Sequence, residues 1–229
     1  MTLASRILGV IRRPRTTFQT LAVAPRWADV LLVTTVAAAL AGAIVMRTGI
    51  GQQALVDQWE RTALAFGRPV DDAAYAKLEA ASTRAPLYAA AMAVVNGPAV
   101  ALAVALLVFA VSGGNKGGAT FRQVFSITAH AGILLTLRQL IAAPATYIRE
   151  TTASATAIGV WFPGFDEASP VARFLGALDL MVIWWAVVLG IGIAVLYRRQ
   201  TRRVVATVVG TYAAAALLLA IVMVSIGGS

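Results

Sequence analysis

The sequence predicts an all-α fold: an integral membrane bundle of five transmembrane helices, with a cytoplasmic N-terminus, an external C-terminus and short interfacial helices. Three observations predict it. Hydrophobic residues make up 59% of the 229 residues and charged residues only 13%, far from the mixture of a soluble domain. Long apolar stretches recur at 28–46, 87–111, 121–142, 172–197 and 204–226, each close to the roughly 20 residues that cross hydrocarbon as a helix. The connectors between them alternate between purely basic and mixed charge.

That alternation sets the expected orientation. Arg6, Arg12, Arg13, Arg15 and Arg26 precede the first stretch, and Lys116 and Arg122 separate the second from the third. Arg198, Arg199, Arg202 and Arg203 separate the fourth from the fifth, and none of these connectors holds an Asp or Glu. The segments 47–86 and 143–171 carry both signs in near balance. The positive-inside rule therefore puts the basic connectors in the cytoplasm. With a net charge of +9 gathered on that face, anionic lipid headgroups are the expected partner, contacted by Arg12, Arg13, Arg15, Arg198, Arg199, Arg202 and Arg203. Nucleic acid is not expected, because the basic connectors are short and lack interleaved aromatic residues for base stacking.

Residues 1–27 read as a cytoplasmic, amphipathic and basic segment, and 28–229 as the five-helix membrane domain. No cleavable signal peptide is expected, since Arg12, Arg13, Pro14 and Arg15 interrupt the start before any long apolar run. Leu3, Ile7, Val10 and Ile11 recur at helical spacing, with Arg6, Arg12 and Arg13 supplying charge, as in a helix lying among headgroups. Pro14 should end it, and Thr16 or Thr17 should cap a second short helix through Phe18 and Leu21. Outside, 51–85 reads as a helical hairpin: Leu55, Trp59, Ala63 and Phe66 mark one face, and Asp71 or Asp72 caps a second helix carrying Tyr75 and Leu78. Trp161, Phe162, Pro163, Gly164 and Phe165 form an aromatic turn suited to the outer interface.

No stretch carries a complete catalytic, metal or nucleotide signature. The chain has no Cys and a single His, so neither thiolate chemistry nor a metal cluster is expected. The Gly113–Thr120 run breaks the phosphate-binding loop pattern at Asn115-Lys116-Gly117. Ser112 has no base at its own depth. No cofactor and no enzymatic activity are expected.

Polar groups within the apolar stretches need partners. Arg138 and Asp179 lie at depths that let the third and fourth stretches meet in an ion pair. His130 shares a helical stripe with Gln123 and Ser126, suiting an interhelical hydrogen bond more than a proton relay. Asp29 stands at the cytoplasmic mouth of the first stretch, within reach of Arg26 or another basic connector. Asn96, Gly97 and Pro98 predict a kink in the second. Ala206, Gly210 and Ala214, and Ala38 with Gly42, recur every four residues and allow close helix approach, within the chain or in a homo-oligomer.

With these features placed, the chain resembles the Yip family of five-pass membrane proteins. The resemblance lies in Arg13-Pro14-Arg15-Thr16-Thr17-Phe18, in Gly113-Gly114-Asn115-Lys116-Gly117-Gly118 leading into Thr120-Phe121-Arg122-Gln123-Val124, and in Ala142-Ala143-Pro144. It continues through Leu178-Asp179-Leu180-Met181-Val182-Ile183-Trp184 and Gly190-Ile191-Gly192. It implies a cytoplasmic N-terminus, an external C-terminus and no known catalysis. Eukaryotic relatives are associated with small GTPases, vesicle traffic and membrane shaping. This chain shows no long soluble N-terminal domain, so GTPase binding is not expected. Its Ala- and Arg-rich usage suggests a bacterial member in the cytoplasmic membrane.

The leading expectation is a non-enzymatic membrane protein that organises lipid or recruits a membrane-protein partner through its basic face. The alternative is a small transporter or channel using the kinked second helix, with Asn96, and the polar third helix, with His130.

Overall fold

The computed structural model describes residues 1–65, 67–149, 154–162, 164 and 170–227. Helix α1 (Leu3–Arg12) begins where Thr2 Oγ1 accepts the Ser5 amide at 3.3 Å. Helix α2 (Pro14–Val23) starts on Pro14, whose fixed φ suits a first helical position and disfavours helical geometry at Arg13. Pro14 thus ends α1 and opens α2, so the expected threonine cap is not used. Thr17 Oγ1 instead donates to the Arg13 carbonyl at 3.2 Å.

Helix α3 (Ala28–Met46) coincides with the first apolar stretch. Helix α4 (Gly49–Ala65) follows at once, because Thr48 Oγ1 accepts the Gly51 amide at 3.0 Å and acts as its cap. Asp71 accepts the Ala74 amide at 2.7 Å and opens α5 (Asp72–Ser82). Helix α6 (Ala85–Val111) runs through Pro98. A 3-10 turn at Gly114–Gly117 is flanked by Gly113 and Gly118 at φ 92 and 79, a region L side chains rarely enter. Then come α7 (Phe121–Ala131), α8 (Ile133–Arg149), a 3-10 turn at Ile158–Trp161, α9 (Pro170–Ala177), α10 (Leu180–Leu196) and α11 (Thr201–Gly227).

Four segments are long and apolar enough to cross a membrane: Ala28–Met46, Ala85–Val111, Phe121–Ala145 and Thr201–Val222, with α10 a shorter apolar helix of 17 residues. Two stretches differ from expectation. The third is jointed at Gly132, whose amide still bonds the Thr128 carbonyl at 3.0 Å, and α8 continues through Pro144 instead of stopping at 142. The fourth is not one helix over 172–197. It breaks at Leu178 and Asp179, where Ile158 N–H donates to the Leu178 carbonyl at 2.7 Å and Leu180 N–H to the Thr156 carbonyl at 3.0 Å. The preceding loop supplies the partners that the interrupted helix lacks.

The chain forms two compact units. The first comprises Met1–Ala37, Ala93–Leu137 and Met181–Tyr212. Its core gathers Val10, Phe18, Leu21, Val124, Ile127, Leu134 and Val188. Glycines set the closest approaches. A Cβ on Gly9 would strike Thr17, one on Gly192 would strike Ile127 and stand 3.2 Å from Phe18, and one on Gly190 would stand 2.9 Å from Val205 Cα. Val10 is fully enclosed, and Leu3, Ile7 and Ile11 pack against the same core. The apolar stripe of α1 therefore faces protein, a correction to its expected place among headgroups, because α2 and α7 cover it.

The second unit comprises Ala38–Met92, Arg138–Leu180 and Ala213–Ser229. Here α4 and α5 pack as a hairpin, tied by Gln53 Nε2 donating to the Tyr75 hydroxyl at 2.9 Å. Ala54, Val56 and Ser82 are among its enclosed positions, with Leu55, Trp59 and Ala63 only half-buried. Phe66, Pro163 and Phe165 lie outside the described residues. Trp161 and Phe162 are exposed. Gly42 brings α3 against Ala89, and Gln139 Nε2 donates to the Ala38 carbonyl at 3.3 Å. Along the long helices Leu32, Leu40, Leu87 and Leu218 are each more than half exposed, a surface that requires lipid rather than water.

Candidate functional site

The polar stripe of α7 fastens residues 1–27. A capping box opens α7, with Thr120 and Gln123 satisfying each other's backbone amides. That fixes Gln123 so that its Nε2 donates to the Ala22 carbonyl at 2.7 Å. One turn later Ser126 Oγ donates to the Arg26 carbonyl at 2.9 Å. Both contacts take carbonyls freed where α2 ends and the chain turns toward α3.

The next turn brings His130, which is fully buried. Its Nδ1 lies 2.8 Å from the Ser126 carbonyl and its Nε2 3.3 Å from Arg6 Nη1. A carbonyl only accepts and a guanidinium only donates, so Nδ1 carries the proton and Nε2 accepts. His130 thus links α7 to α1 through Arg6. Arg6 also pairs with Asp29 through Nη2, while its Nη1 stands 3.3 Å from the other carboxylate oxygen. The same oxygen accepts the Val30 amide at 2.9 Å, which anchors the carboxylate at the first turn of α3.

Asp29 thus pairs with Arg6 and not Arg26. Arg6 itself, expected on the charged outer face of α1, is only 3% exposed. Sequence reading missed this, although the signal was present. Arg6 lies three residues after Leu3 and four before Val10, in phase with the apolar stripe and not opposite it. Its Nε is buried with no hydrogen-bond partner among the described residues.

A second polar cluster lies within the other unit. Arg138 Nε donates to Asp179 Oδ2 at 2.6 Å, and Ser154 and Thr156 hydroxyls donate to the same oxygen at 2.6 and 2.8 Å. Asp179 directly precedes α10, so its position at a helix start, in place of mid-helix burial, lets the 154–156 loop reach it.

The remaining candidates stand apart. Asn96 is exposed on α6 and lines neither cluster. Arg12, Arg13, Arg15, Arg198, Arg199, Arg202 and Arg203 are all exposed. Ala206, Gly210 and Ala214 face outward, and a Cβ on Gly210 would meet nothing within 4 Å. Among the described residues no group of His, Asp or Glu could hold a metal ion.

No curated protein and no solved structure matches the chain. The Yip1 domain description matches residues 8–224, nearly the whole length, and with its long apolar helices the chain is an integral membrane protein that belongs to this family.

Proposed function

We propose that the chain works without catalysis, gathering anionic lipid or a membrane partner at a basic cytoplasmic face. One observation carries this reading. Across 1–37, 93–137 and 181–212, Asp29 is the one carboxylate, and it is engaged by the buried Arg6. Arg12, Arg13, Arg15, Arg198, Arg199, Arg202 and Arg203 remain exposed in the same unit. Each basic residue held near an anionic bilayer contributes about 1 kcal/mol of attraction, so together they form a strong lipid-facing surface. Because the stripe of α1 packs on protein, attraction through charge takes precedence over insertion of 1–21 into the headgroups.

The accompanying topology has five crossings. Helix α10 is the short one, about 26 Å long at roughly 1.5 Å per residue, and local thinning or snorkelling of Arg198 and Arg199 accommodates the difference. The basic connectors support an N-terminus in the cytoplasm and a C-terminus outside, and the proposed setting is a bacterial cytoplasmic membrane. The outward Ala206, Gly210 and Ala214 suit a second copy.

Flotation with vesicles tests the reading. Protein in neutral nanodiscs should capture anionic vesicles in a salt-sensitive way, and replacing Arg12, Arg13 and Arg15 by Gln should weaken capture several-fold. Equal capture by wild type and variant would remove the mechanism.

A further inference from the structure

Beside the Arg6–Asp29 pair lies an open cleft of about 320 Å³, lined by Pro25, Arg26, Trp27, Ala28, Asp29 and Arg122. Its construction is specific. The Ser126 hydroxyl holds the Arg26 carbonyl at 2.9 Å and Gln123 holds the Ala22 carbonyl at 2.7 Å, so the 22–27 turn is pinned to α7. Trp27 packs edge-on against Phe125, with ring centroids 5.1 Å apart, and remains 36% exposed.

The electrostatics of the cleft are one-sided. Asp29 is the only acid in its lining, and Arg6 engages that carboxylate from the buried side. Arg26 and Arg122 are exposed, and neither has a carboxylate within salt-bridge distance among the described residues. Two guanidiniums without a carboxylate partner among the described residues therefore share a cleft with an indole wall. Guanidinium is the side chain best shaped for a phosphate, and a partly exposed Trp suits the level where headgroup meets acyl chain.

We infer that this cleft binds the phosphate of an anionic phospholipid, held between Arg26 and Arg122 with the glycerol region against Trp27. The inference rests on the proposed cytoplasmic lipid-facing side and adds a defined, saturable site to a diffuse attraction. The seven arginines named above lie outside its lining.

The test uses the full chain in neutral-lipid nanodiscs, titrated with short-chain phosphatidic acid, with phosphatidylglycerol and with inorganic phosphate, and read by native mass spectrometry. Wild type should retain one tightly held anionic lipid, with phosphatidic acid ahead of phosphatidylglycerol because its phosphate is terminal. Arg26→Gln with Arg122→Gln should weaken that binding by about tenfold or more, as expected on losing charge-assisted hydrogen bonds. Arg61→Gln with Arg68→Gln, both exposed in the other unit, should leave it within about twofold. A tryptophan emission spectrum and melting temperature matching wild type would establish that the first double variant is folded.

Undiminished binding by a folded Arg26→Gln/Arg122→Gln variant would overturn the site. So would binding of inorganic phosphate with no saturable lipid. If Arg12, Arg13 and Arg15 matter for vesicle capture while this double variant does not, the cleft fails and the broader lipid reading stands. If anionic lipid changes nothing in wild type, both fail.

Discussion

Arg6 and Asp29, 23 residues apart in sequence, form an ion pair in which the arginine is 3% exposed and the aspartate 43%. The pair is asymmetric. Losing the carboxylate strands a buried cation, whereas losing the arginine leaves a carboxylate that water reaches.

Asp29→Asn should therefore destabilise the protein by about 1–3 kcal/mol, the range for leaving a buried polar group poorly satisfied. Arg6→Met alone should cost less, since an apolar side chain suits that buried position. In the double variant the two losses should not add. Thermal unfolding in detergent gives the cycle, and strict additivity would show that the two groups do not interact.

His130→Phe keeps volume near α7 but removes the acceptor facing Arg6 and the donor to Ser126. Hydrogen exchange should then speed up through α1 and α2 by about tenfold or more, since each lost contact was worth roughly 1 kcal/mol and one more partner of Arg6 disappears. Exchange in α11 should not change. Uniform acceleration along the chain would point to global destabilisation and not release of the N-terminal helices.

Gly190→Ala and Gly192→Ala should each cost about 1–3 kcal/mol, because the added methyl meets Val205 Cα at 2.9 Å or strikes Ile127. Gly210→Ala should be neutral or stabilising by up to about 1 kcal/mol, since it faces open space and gains helix propensity. Melting temperatures of the three variants decide this. A reversed order would mean that α10 does not pack as described.

Asp179→Ala removes the common acceptor of Arg138, Ser154 and Thr156. It should lower the detergent melting temperature through a loss of about 1–3 kcal/mol, and Asp179→Asn, which retains one carbonyl for the hydroxyls, should lose less. An unchanged melting temperature for the alanine variant would rule out a locking role for the cluster.

A good part of this was legible in the chain. The first apolar stretch coincides with α3, since nineteen residues without a proline leave little choice of boundary in a low-dielectric solvent. Pro14 as a boundary and an aspartate at 71 or 72 as a cap follow from local chemistry, and the structure uses Asp71. The fourth stretch misled because Leu178 and Asp179 look like helix interior by composition. Only the loop at 156–158, distant in sequence, supplies the hydrogen bonds that make a break affordable at that point. The α1 stripe misled for a related reason: an apolar face with charges nearby fits a membrane surface or a protein surface equally well, and the hydrophobic effect does not distinguish them.

The sequence by itself determined the class, because hydrophobic content, span length and sign of charge are sums over residues that do not depend on who touches whom. Which charge meets which was decided by tertiary structure alone. Arg6 could have faced headgroups and Asp29 could have met Arg26. Closing α1 against α7 put the Arg6 guanidinium against Asp29 and His130, and electrostatic pairing in a dehydrated site depends on ångström distances that no one-dimensional pattern contains.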